Sequence, residues 1–332
     1  MRMKSLAVLM LFFVVPVLYS QDTPTTTPAP TKTPVTTTVE VTPESTDELP
    51  ASDSAFAAQP LASTFNQDDL QVLVGNVQRP NGIVWFDGQL FTGCNGDYTL
   101  YQIDALTGQT ITLVYGVQNA HTLFAEQDGQ GFNLFVPDFD TNRLVRVDET
   151  RSAPREIAEG LNGPWGITYL DAENFLVSNI RGNDIVKVSR AGVVEPFVEG
   201  LRAPAGIVRD QDRLFIVNNG SARRAIEMVM LDDKLNAIGE PISLVSGLQN
   251  ASGLVLAPDG LLYFTFALGT RGVVGRINPN ECLNGCSNED VEIVVYTDLQ
   301  APLAGLAISP EMRLYVHTIF RPELYYIDVY GS

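Results

Sequence analysis

The chain has 332 residues and is acidic, with 39 Asp and Glu against 21 Lys and Arg, a net charge of −18. A phosphate backbone demands the opposite sign, and no basic cluster follows the first few residues, so nucleic acid is not an expected partner. Three cysteines allow one bridge at most, which can staple a loop and not a fold.

The first twenty residues, MRMKSLAVLMLFFVVPVLYS, set Arg2 and Lys4 ahead of an apolar run from Leu6 to Leu18 and end on Ser20. This layout predicts a secretory signal peptide over residues 1–20. The run is shorter than the roughly 20 residues a spanning helix needs, and Pro16 interrupts it, so no membrane span is expected in the mature chain. Residues 21–63 are dominated by Thr and Pro and nearly lack large apolar side chains. Such a segment cannot bury enough surface to offset its ordering entropy, which predicts a disordered stalk. The product is expected outside the cytoplasm, secreted or held at the cell surface.

Residues 64–332 repeat themselves. VQRPNGI at Val77 is followed by VQNAHTL at Val117, LNGPWGI at Leu161, LRAPAGI at Leu201, LQNASGL at Leu248 and LQAPLAGL at Leu299. A period of 40 to 51 residues marks a solenoid, array or propeller. Within the third unit GITYL, NFLVSN, DIVKVS and VEPFVEG are short apolar runs divided by Asn, Asp and Gly turns, which is four strands. Four strands at this spacing predict an all-β propeller of six four-stranded antiparallel blades. The last unit stops after three strands (GLAIS, RLYVHT, ELYYIDVY), while a spare strand, residues 70–76, precedes the first heptad. Strand 70–76 is therefore expected to complete the last blade and close the ring, leaving no open edge. Gly82, Gly166, Gly206, Gly253 and Gly305 fall where each blade enters its innermost strand, and Gly there permits close backbone approach.

The PxGI turn, a strand such as NLFVPD at Asn133–Asp138 and the following DTNRLVRVD resemble the NHL-repeat type of six-bladed propeller, and are similar to the gluconolactonase and paraoxonase superfamily. The resemblance implies the architecture and two kinds of activity. Gluconolactonase-like members hold a divalent cation through Asp, Glu and Asn at the channel mouth, and some NHL-type lyases hold zinc through several histidines. This chain departs from both patterns. Its inner ring reads Asn81, His121, Trp165, Ala205, Ser252 and Ala304, without a carboxylate, and it has only His121 and His317 for zinc. Asn81 and His121 are the weak metal candidates, and no cofactor is expected.

In an antiparallel blade the turn entering the first strand and the turn between the second and third lie on one face of the disc. That face is the default site. Asn81, His121, Trp165, Asp138, Asn179, Arg181, Asn218, Arg271, His317 and Arg321 are its expected ligand-binding residues. Asn81, Asp138 and neighbours also suit turn-forming roles, and Trp165 serves equally as channel plug or ligand platform. Cys94, flanked in the ring by His121 and His317, is the one nucleophile candidate. A packed thiol is the plainer reading, since no orienting third residue is apparent. Cys282 and Cys286, close together in NECLNGCSNED, are expected to form a local disulfide.

These features lead first to an exported binding module, monomeric, taking a peptide, glycan or protein at the channel mouth. The alternative is a metal-assisted lactonase, hydrolase or lyase built on the same face.

Overall fold

The computed structural model describes residues 57–331 except Gln130. The expected signal peptide and most of the expected stalk lie outside the described residues. Twenty-five strands and two 3-10 turns make up the described fold.

Six sheets follow one another around a ring, each built on an antiparallel meander of consecutive strands. Blade one contains β3 (Pro80–Phe86), β4 (Gln89–Cys94), β5 (Thr99–Asp104) and β6 (Thr110–Tyr115). Blade two contains β7 (Phe124–Asp128), β8 (Gly131–Asp138), β9 (Arg143–Asp148) and β10 (Arg155–Ala158), and blade three β11 (Pro164–Asp171), β12 (Asn174–Asn179), β13 (Asp184–Ser189) and β14 (Val194–Val198). Blade four comprises β15 (Pro204–Asp210), β16 (Arg213–Asn218), β17 (Ile226–Leu231) and β18 (Ala237–Val245). Blade five comprises β19 (Leu254–Leu256), β20 (Leu262–Leu268), β21 (Arg271–Ile277) and β22 (Glu292–Gln300). Blade six takes β23 (Gly305–Ile308), β24 (Arg313–His317) and β25 (Leu324–Asp328) from the end of the chain. Its outermost strand is β2 (Gln71–Val74), which pairs antiparallel with β25, Gln71 opposite Tyr326.

Proline opens β3, β11 and β15, a strand position where a missing N–H costs no ladder bond. The glycine two residues later has a steric cause. A Cβ on Gly82 would lie 2.7 Å from the His121 carbonyl carbon, and one on Gly206 would lie 2.6 Å from the Ser252 carbonyl oxygen. Gly166 meets the Ala205 carbonyl in the same way. Each neighbour is the inner-ring residue of the next blade, so these glycines set how closely blades approach the axis. The amides use that proximity: Gly82 N–H donates to the Ala120 carbonyl at 2.7 Å, and Gly206 N–H to the Ser252 carbonyl at 3.0 Å.

The apolar cores lie between blades. Leu176, Ile185 and Val198 of blade three pack against Ile207, Leu214 and Ile216 of blade four in one buried cluster. Val74 of β2 shares a cluster with Ile83 and Leu90 of blade one and with Leu324 of blade six. A network missed by sequence reading adds polar clamps. Thr92 Oγ1 donates to the Gly82 carbonyl at 2.8 Å, and Ser178 Oγ donates to the Ala205 carbonyl of the next blade at 2.6 Å.

The packed chain begins ahead of Thr64. Arg276, almost wholly buried, donates to the Gln59 carbonyl at 2.6 Å and to the Tyr263 and Tyr330 hydroxyls at 3.0 and 2.8 Å. Leu61 N–H donates to Glu292, and β1 (Phe65–Asn66) pairs parallel with β22 as a fifth strand of blade five. Cys282 and Cys286 are disulfide-bonded with Cα atoms 5.1 Å apart. Their loop does more than staple itself: Cys286 N–H donates to the Leu244 carbonyl at 2.7 Å, extending blade four with residues from blade five.

Candidate functional site

The six inner strands surround a central cavity of about 180 Å³. The residue closing each heptad lines it, Ile83, Leu123, Ile167, Ile207, Leu254 and Leu306, and Val84, Trp85, Val255 and Ile308 continue the wall. His121 and Trp165 stand at its rim, and their rings stack 3.4 Å apart at 6°. Phe139, from the turn between β8 and β9, meets both edge-on, at 5.1 Å from His121 and 5.9 Å from Trp165. Arg181, from the turn between β12 and β13, lays its guanidinium 4.1 Å above the Phe139 ring. It is exposed and has no carboxylate partner among the described residues.

Side chains behind the rim hold His121 in place. Asn81 Nδ2 donates to Asn119 Oδ1 at 2.7 Å, and Asn81 Oδ1 lies 3.1 Å from His121 Nδ1. Thr122 Oγ1 donates to the Trp165 carbonyl at 2.7 Å, joining blades two and three just below the stack. Desolvation by these surroundings pushes the His121 pKa down to about 3, so its imidazole is neutral at physiological pH.

The other expected site residues divide by what their polar atoms already do. Asp138 is buried, and its two oxygens accept the Gln118 and Asn119 N–H groups, each at 3.1 Å. Asn179 and Asn218 repeat the device one blade at a time, accepting from Asn162 at 3.1 Å and Arg202 at 3.2 Å. Asn218 also donates to the fully buried carboxylate of Glu227, which Arg224 pairs from its other side. Neither Glu227 nor Arg224 stood out in the sequence. Arg271 forms an ion pair with Asp298, and Arg321 is exposed beside it in the ring.

His317 sits one step inward of the residues it was grouped with. It is fully buried opposite Gly305, the register held in other blades by Ser178 and Thr265, which bond the Gly166 and Gly253 N–H groups. Burial lowers its pKa to about 3, and the Asn81 main-chain carbonyl opposes that only in part. Cys94 is a free thiol in the core formed with Val77, Ile83 and Leu90. Burial and then the Asp97 charge push its pKa well above the ordinary thiol range, away from nucleophilic thiolate. Neither histidine is hydrogen-bonded to it.

A divalent cation is a poor fit to this arrangement. A hard cation needs several free oxygens, whereas Asp138, Asn179 and Asn218 spend theirs on main-chain amides and Asn81 is bonded at both ends of its amide. Phe139 is the functional candidate that the sequence reading passed over. Its signal was an aromatic between two aspartates, VPDFDTN, in a mouth-face turn.

No family model matches the chain. Solved structures resemble it at low identity. A putative gluconolactonase superposes with a TM-score of 0.63 at 14% identity, over 78% of this chain and 91% of its own. A calcium-binding regucalcin from Agrobacterium tumefaciens gives 0.60 at 15%, over 82% and 98%. A streptogramin B lyase gives 0.57 at 14%, over 77% and 96%. At such identities the likeness establishes the six-bladed, gluconolactonase-like fold and nothing about chemistry.

Proposed function

We propose that this propeller is an exported binding module whose ligand docks on the channel-mouth face and places an apolar group in the central cavity. The observation that carries the reading is the pairing of an aliphatic wall with a His121–Trp165 rim. A cavity of about 150 Å³ lined by aliphatic side chains stays dry and takes up a benzene-sized guest. The present cavity, about 180 Å³, adds Thr122, Ser252 and His121 to its aliphatic wall, so it suits a guest that is mainly and not wholly apolar. Stacked aromatics at its lip offer flat, rigid contact area. This combination suits a peptide with an apolar side chain better than a glycan.

The enzymatic alternative is supported by the likeness in fold to a gluconolactonase and a streptogramin B lyase. It requires reactive or metal-binding groups at the mouth, where the oxygens of Asp138, Asn179 and Asn218 are instead bonded to main-chain amides. Export is inferred from the first twenty residues, and no described helix is long and apolar enough to cross a membrane. The mass of the mature protein recovered outside the cell checks export.

Binding is tested by titrating the full chain with 3-methylbutanol, followed by calorimetry and by the rise in unfolding temperature. Saturable binding abolished by Ile207→Trp, and by Val255→Phe as a second block of the cavity, is the expected result. Absence of binding through the millimolar range would refute the reading.

A further inference from the structure

Beside the cavity the mouth face presents one acceptor and one cation, each without a hydrogen-bond or ion-pair partner of its own among the described residues. The acceptor follows from the hydrogen bonds behind it. Asn81 donates through Nδ2 to Asn119 and turns Oδ1 toward His121, an arrangement in which His121 Nδ1 is the donor. A neutral imidazole has a single N–H. Nε2 of His121 is therefore a bare lone pair at the lip of the cavity, with its ring fixed by the Trp165 stack. Neutrality is secured by desolvation, which keeps this imidazole unprotonated at any physiological pH.

The cation is Arg181. Its side chain runs over Gly163, where a Cβ would lie 2.8 Å from Arg181 Cγ, so the glycine's missing side chain leaves its room. Its guanidinium rests on Phe139, the ring that also meets His121 edge-on. A guanidinium stacked on an aromatic face keeps its N–H fork free for a planar anion, and a carboxylate is the natural match. Both groups flank the same ring, at 4.1 and 5.1 Å from its centroid, so their centres are no farther apart than the two distances together, a gap that one small polar unit hydrogen-bonded at both ends can span.

Three requirements then meet in a single ligand: a carboxylate for Arg181, a nearby N–H for His121 Nε2, and an apolar branch for the cavity. We propose that the mouth recognises an N-acylated α-amino acid with a free carboxylate and an apolar side chain, the unit that a peptide carboxy terminus presents. The proposal rests on the binding-module reading and specifies its ligand.

Calorimetric titration of the full chain with four probes separates the two. N-acetyl-L-leucine carries all three features, and N-acetyl-L-leucinamide lacks the carboxylate. The ester (2S)-2-acetoxy-4-methylpentanoate lacks the N–H, and 3-methylbutanol keeps only the apolar branch. N-acetyl-L-leucine is expected to bind at least tenfold more tightly than the amide, a preference that Arg181→Ala removes. It is expected to bind about tenfold more tightly than the ester, because an acceptor left unpaired at the site penalises the analogue. His121→Phe, which keeps the aromatic stack, should make acid and ester equal. Gly-Gly-Leu distinguishes the source: binding as tight as that of N-acetyl-L-leucine indicates a peptide terminus, and exclusion of the tripeptide indicates a free acyl amino acid. Equal affinity for acid, amide and ester, or preferences unchanged in the two variants, overturns the proposal while 3-methylbutanol binding leaves the module intact. Failure of every probe overturns both.

Discussion

The two faces of the disc are organised by different physics. On the channel-mouth face, the loops entering blades two, three and four are each anchored by a buried side chain from the end of the second strand, Asp138, Asn179 and Asn218. Glycines there let one blade's backbone touch the next. On the opposite face the turns anchor themselves. Asp104 accepts from Leu106 and Thr107, Asp148 from Thr150, Asp232 from Lys234 and Asn236, all in exposed turns between third and fourth strands. The mouth face thus relies on anchors that reach from one strand to the loop before the blade, whereas the opposite face adds self-anchored turns to a few inter-blade bonds such as Arg190 to Glu126. His121, Trp165, Phe139 and Arg181 are among the mouth-face side chains that serve as no such anchor.

The largest effect should come from deleting residues 57–76, which removes β2 from blade six and β1 from blade five. If β2 closes the ring, the truncated protein will lose cooperative unfolding or aggregate, as chemical denaturation followed by near-ultraviolet dichroism will show. A normal sharp transition would mean that five complete blades and a three-stranded sixth suffice.

Next in size is Asn218→Ala. It strips the buried Glu227 carboxylate of a donor and leaves the Arg202 N–H unpaired. Losing a partner to a buried charge costs about 3 kcal/mol, measurable from the denaturant midpoint. Gly206→Ala should follow at about 1–3 kcal/mol, the usual cost of overpacking, because the obstructing atom is main-chain oxygen and cannot rotate away. Asp104→Ala, on the self-anchored face, should move the midpoint least of all. A loss equal to that of Asn218→Ala would erase the contrast between the faces.

Acid titration of stability sharpens the same contrast. His121 and His317 have folded pKa values near 3, below the ordinary 6.5, so the unfolded chain binds more protons. Stability is fully present above about pH 6.5 and falls as pH drops toward 3. The carboxyls of Asp104, Asp148 and Asp232 are depressed by their turn hydrogen bonds, so what they contribute is lost only below their ordinary 3.8. The double variant His121→Phe, His317→Gln should flatten the profile from pH 6.5 to 4 and leave the steeper acid limb in place.

What sequence made legible was whatever repeats. The heptad, the glycine and four turn-bounded strands recur because each blade solves the same packing problem at the axis, so the architecture and strand boundaries were readable. The candidate site was less so, because it depends on single-residue register. Blade six carries one extra residue in LQAPLAGL, and that offset hid His317 in the row of Ser178 and Thr265 rather than at the mouth. Asn179 looks the same in sequence whether its amide faces a ligand or the Asn162 amide; only the fold chooses. The Arg276 cluster left no pattern at all, since its partners Gln59, Tyr263, Glu292 and Tyr330 are scattered along the chain.

That cluster also determines how the propeller bears load. Gln59, Leu61, Thr64 and Phe65 are bonded in sequence to Arg276, Glu292, Ile293 and Val295, so the leading segment runs alongside β22 in the same direction. Tension applied along that edge strains all of these attachments together, whereas tension directed away from it peels them one at a time. A tether ahead of Ala57 would accordingly hold firmly in one direction and release in another.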